Sequence, residues 1–78
     1  MMEQRVARVM SQILGVPQEA ITESTTQESV RKWDSLGHMN LCMALEEEFG
    51  VAFDADQVVG MTSYPAIVAQ LRRLAEPT

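Results

Sequence analysis

The chain has 78 residues, enough for one domain over residues 1–78 and no second core. An apolar fraction of 46% suits a globular chain and is too high for a disordered one. Eleven acidic against six basic residues leave a formal charge of −5, which argues against nucleic acid and anionic lipid as partners and favours basic protein surfaces.

In the first segment Val6, Val9, Met10, Ile13 and Leu14 recur at helical spacing, with Glu3, Gln4, Arg5 and Gln12 off that face. This predicts a helix over residues 2–14, stopped by Gly15 with Pro17 beyond it. The opening Met1-Met2-Glu3-Gln4-Arg5 has no signal-peptide pattern, and no apolar run approaches the roughly 20 residues of a membrane span. The expectation is a soluble, cytoplasmic protein without membrane insertion. The polar run Thr22-Glu23-Ser24-Thr25-Thr26-Gln27-Glu28-Ser29 reads as a long surface loop anchored by Ile21 and Val30. Long loops in small domains are usually functional or mobile.

The loop leads into Trp33-Asp34-Ser35-Leu36-Gly37-His38-Met39, the opening of a second helix that runs from about Ser35 to Phe49 and ends at Gly50. Asp34 can cap this helix by accepting a backbone N–H bond, a contact worth about 1 kcal/mol. Ser35 then becomes the first helical residue, its hydroxyl free beside the positive end of the dipole, a natural place for a phosphate ester. At 100° per residue, Leu41, Cys42, Leu45 and Phe49 share one face. Leu36, Met39 and Met43 form a second stripe, with Asn40 and Glu47 alongside. One stripe must enter the core. The other is either covered by a neighbouring helix or left for a partner, for which flexible thioethers are suited. The residues alone leave both readings open for Met39 and Met43. Cys42, the single cysteine, excludes an intrachain disulfide and a thiolate metal cluster, and reads as a small buried hydrophobe.

After Gly50, Asp54 can cap a short helix through Val58 and Val59 toward Gly60. A last helix starts near Ser63-Tyr64-Pro65, with Ile67, Val68, Leu71 and Leu74 as its apolar stripe and Arg72 and Arg73 near its C-terminus. The predicted architecture is all-α, a small four-helix bundle with three longer helices and one short one.

Asp34-Ser35-Leu36, in register with Met43-Ala44-Leu45-Glu46-Glu47-Glu48-Phe49-Gly50 and with Met61-Thr62-Ser63-Tyr64, resembles the acyl carrier proteins of the phosphopantetheine-binding family over essentially the full length. The tripeptide alone is common; the set in register is specific. The resemblance implies that a phosphopantetheinyl transferase, using magnesium, moves a 4′-phosphopantetheine arm from coenzyme A onto Ser35, with Asp34 and Leu36 flanking the attachment point. The arm would carry acyl groups as thioesters, so the chain would be no enzyme but a cosubstrate of others. The same resemblance makes the second helix the recognition helix, with Leu36, Met39, Asn40, Met43 and Glu47 as partner contacts and Leu41, Leu45 and Phe49 turned inward. Partners would be the transferase, an acyl- or aminoacyl-loading ligase, and downstream synthases and transferases. A shuttling carrier is expected to be a monomer.

Carriers of primary fatty-acid synthesis usually have more acidic residues at the start of this helix, where Gly37, His38 and Asn40 stand here, and a small residue in place of Trp33. These departures favour a specialised carrier serving polyketide, modified-lipid, aminoacyl or cell-surface sugar chemistry. The alternatives are an aminoacyl or peptidyl carrier protein, and a helical adaptor without a prosthetic group using the same Met39 and Met43 stripe. A Ser35–His38 hydrolase is disfavoured, because Asp34 next to the serine is badly placed to orient His38 and no oxyanion-hole element is evident. His38 is expected at the surface, tuning partner contacts or lying near the phosphate, where its protonation would modulate the site.

Overall fold

The structure, a computed structural model, describes residues 1–75. Four α-helices follow in order: α1 (Met2–Leu14), α2 (Ser35–Phe49), α3 (Ala55–Gly60) and α4 (Tyr64–Ala75). Among the described residues there is no strand, only an isolated antiparallel bridge between Thr26 and Ser63. The radius of gyration is 11.3 Å, close to the roughly 11.5 Å expected of a compact chain this long. No helix of the described residues is long and apolar enough to cross a membrane.

The helix limits follow from local chemistry. Gly15 (φ 69°) and Gly50 (φ 65°) take the left-handed conformation that ends α1 and α2, and their amides return to Ser11 and Glu46. Asp54 and Gln57 form a reciprocal capping box at the start of α3, with both bonds at 2.8 Å. Ser63 Oγ accepts from the Ala66 amide and caps α4.

The core lies between α1, α2 and α4, with Val6, Met10 and Leu14, Leu41 and Leu45, and Ile67 and Leu71 all fully buried. α1 packs against both α2 and α4. Ile13, expected on the core face, is 36% exposed. The buried line of α1 runs at four-residue steps through Val6, Met10 and Leu14, and Ile13 sits about 100° from its last member. Leu74, near the end of α4, is likewise mostly outside the core.

The loop over residues 22–29 is anchored as expected, by buried Ile21 and half-buried Val30, but it is more ordered than its composition suggests. Gln27–Ser29 forms a 3-10 turn capped reciprocally by Thr26 and Ser29. The loop is pinned to the start of α4 by the bonds Gln27 N–H to Thr62 O (2.8 Å) and Tyr64 N–H to Thr25 O (3.0 Å). Thr25 is buried because its hydroxyl accepts from the Thr22 amide at 2.8 Å, which removes the cost of burying it.

Candidate functional site

Residues 32–38 fold tightly around the mouth of α2. Asp34 is extended (φ −92°, ψ −168°), its Oδ1 accepts from the Gly37 amide at 2.8 Å, and its carbonyl accepts from the His38 amide at 2.8 Å. The Lys32 carbonyl turns back onto Gly37 so closely that a Cβ there would lie 2.2 Å from its oxygen. Only glycine fits. Ser35 is thereby presented as the first residue of α2, exposed, next to first-turn amides that have no acceptor within the helix.

Beneath the mouth lies a buried polar pair. Trp33 is 2% exposed and His38 is 8% exposed, with ring centroids 6.1 Å apart. The Trp33 Nε1–H donates to His38 Nδ1 at 2.8 Å, and His38 Nε2 lies 2.7 Å from the Val58 carbonyl oxygen. A single neutral tautomer satisfies both contacts: Nδ1 accepts, and Nε2–H donates to α3. The surface position expected of His38 is therefore corrected. Its side chain falls on the Leu41, Cys42 and Leu45 face at spacings of three, four and seven, and its polar atoms are all engaged inside the fold. Neither ring nitrogen is left to act as a base toward Ser35.

Cys42 is buried beside this pair, its Sγ 3.8 Å from His38 Nε2. Burial, with Glu46 adding in the same direction, pushes the thiol up to about 11. It is the small buried hydrophobe that its position in the helix predicts.

The second stripe of α2 faces outward. Leu36 (70% exposed), Met39 (52%) and Met43 (57%) lie on the surface, and Asn40 and Glu47 are exposed beside them. Val59 of α3 is a further exposed aliphatic. The run Glu46-Glu47-Glu48 is divided in use. Glu46 Oε2 accepts from the Phe53 amide at 2.8 Å, which ties down the turn after α2. Glu48 Oε2 accepts from Arg5 and Arg8 of α1 at 3.1 Å each, and the Arg5 guanidinium also lies 4.4 Å over the Phe49 ring. Phe49 is thus half-buried rather than fully inward. Only Glu47 projects freely.

The sequence profile of the phosphopantetheine attachment site family matches residues 4–71, which takes in all of α2 and α3 and most of α1 and α4. Its members hold a covalently attached 4′-phosphopantetheine, and its domains are generally non-catalytic carriers. The mouth of α2 fits such a group, since it offers an exposed primary hydroxyl and a helix N-terminus suited to an anion. A match over most of the chain, joined to the four-helix architecture, places this protein in the phosphopantetheine-binding family of acyl-carrier-like domains.

Proposed function

We propose that the chain is a single-domain acyl carrier whose attachment residue is Ser35. The observation that carries this reading is the geometry of the mouth of α2: a capped helix start that presents an exposed serine at its first position. When bound, the arm supplies a thiol on which acyl groups are held as thioesters. The chain's own residues do the remainder. Asp34 fixes the first turn, Gly37 permits the loop to close onto the helix, and the first-turn dipole stabilises the phosphodiester anion. A phosphopantetheinyl transferase supplies the activation of the hydroxyl, so an ordinary, exposed serine is sufficient.

The exposed Leu36, Met39 and Met43, with Asn40 and Glu47, are the surface offered to that transferase and to the loading and synthase enzymes. Glu47 is the member of the acidic run left to meet a partner's lysine or arginine. A hydrolase reading is disfavoured by the commitment of both His38 ring nitrogens to Trp33 and Val58. Glycine and asparagine at 37 and 40, in place of acidic residues at the start of the helix, favour a specialised carrier over a general fatty-acid one. The test is to mix the purified protein with coenzyme A, magnesium and a broad-specificity transferase and read the intact mass. One added phosphopantetheine is expected in the wild type and none in Ser35→Ala with its helical circular dichroism intact. An unmodified wild type under conditions that modify a control carrier would favour the adaptor reading.

A further inference from the structure

The Trp33–His38 and His38–Val58 contacts join three parts of the molecule. Trp33 lies two residues before Ser35, and its buried indole is the plug of the loop that closes onto Gly37. His38 belongs to the first turns of α2, and Val58 belongs to the short helix α3. The bond at 2.8 Å from Trp33 Nε1–H requires a lone pair on His38 Nδ1. An added proton turns that acceptor into a donor, so two N–H groups face each other and the buried indole loses its partner. The contact to the Val58 carbonyl needs Nε2–H and survives in either state.

We propose that Trp33 and His38 form a proton-sensitive positioning latch for Ser35: the neutral imidazole holds the loop closed at the mouth of α2, and protonation releases it. His38 is here a positioning residue, acting through Trp33 and the loop. The surroundings leave the ring as the group that decides. From α2 it is faced by the Cys42 thiol, which stays protonated below alkaline pH, and a turn further on by Glu46, engaged with the Phe53 amide. From the loop come Asp34, whose carboxylate is spent on Gly37, and Lys32, whose ammonium lies beside Gly15. From α3 come Asp54, engaged with Gln57, and Asp56 in the exposed first turn. Among the described residues no carboxylate lies within ion-pair distance of the imidazole.

Two variants separate the contacts of the ring. In His38→Asn the amide oxygen can stand where Nδ1 stands and accept from Trp33 at any pH. In His38→Gln the amide nitrogen can stand where Nε2 stands and keep Val58 while losing Trp33. The chain has one tryptophan and one histidine, so the indole N–H resonance and the imidazole resonances need no assignment by mutation. In the unmodified wild type, the indole N–H resonance is expected to move together with the imidazole signals as the pH is lowered while the far-UV circular dichroism holds. In His38→Asn it should stay fixed over the same range.

The positioning half of the inference rests on Ser35 being the attachment residue, and it is read by kcat/KM for phosphopantetheinyl transfer, taken as ratios between variants at each pH so that the transferase's own pH dependence cancels. At pH 7.5, His38→Asn should approach the wild type and His38→Gln should fall about fivefold, the scale of one hydrogen bond. At a pH where the imidazole signals show the ring protonated, the wild type should fall about fivefold relative to His38→Asn. An indole resonance that is flat in the wild type, that moves equally in His38→Asn, or that changes only as the helices melt overturns the latch. Equal modification of the Asn and Gln variants at pH 7.5 overturns the positioning role. A wild type that is never modified refutes the carrier reading instead, and the indole titration still decides whether the latch exists.

Discussion

At position 38 the polar side chain obeys the helix period rather than its own polarity. His38, Leu41, Cys42 and Leu45 fall at the spacings of one helical face, and all four are buried. The signal for this was in the sequence, because a buried tryptophan needs an acceptor for its N–H and Trp33 has one five residues on. Polarity pointed His38 to the surface, and two hydrogen bonds removed the reason for it to stay there. Cys42, on the same face, shows the complementary case. Its thiol is raised from 9.0 to about 11, so the native state favours the protonated form. That contribution to stability is fully present below pH 9.0, where the unfolded thiol is also protonated, and is lost as pH rises through about 11. Guanidinium unfolding should therefore show the wild type losing more stability than Cys42→Ala between about pH 8 and pH 11. Equal losses would contradict the burial of the thiol.

At the scale of elements, periodicity and caps carried most of the fold. The limits of α1 at Leu14, of α2 at Ser35 and Phe49 and of α3 at Ala55 are those that Gly15, Asp34, Gly50 and Asp54 predict. The two stripes of α2 also separate as their angles require, Leu41, Cys42 and Leu45 inward and Leu36, Met39 and Met43 outward. What could not be read was tertiary. Nothing local in Thr22–Ser29 announces that its backbone will pair with the start of α4, and nothing in the Glu46-Glu47-Glu48 run shows that Arg5 and Arg8 of α1 will take up Glu48. The close approach of the Lys32 carbonyl to Gly37 belongs to the same class. Alanine in place of a helical glycine is ordinarily worth about 1 kcal/mol. Here a Cβ 2.2 Å from a backbone oxygen has nowhere to go, and overpacking of that kind costs about 1–3 kcal/mol. Gly37→Ala should therefore unfold at lower denaturant than the wild type; a higher midpoint would show that the loop is free to move away.

Over the whole molecule, the division of labour is between a core that binds α1, α2 and α4 and a mouth of α2 held from below by a buried polar contact. A domain of this size has only about 3–5 kcal/mol to spare, so a buried Trp–His pair is tolerable only because both partners are satisfied. The surface around Ser35 is left apolar and lightly charged, with Leu36, Met39, Met43 and Glu47 outward, as suits a chain that meets several enzymes in turn. The central claim is that Ser35, among the serines at 11, 24, 29, 35 and 63, is the tether. Peptide mapping by tandem mass spectrometry, on protein co-expressed with a phosphopantetheinyl transferase, tests it most directly. The phosphopantetheine is expected on the peptide containing Ser35 and on no other serine. A group on any other serine, or none on Ser35 when a control carrier in the same cells is modified, would contradict it.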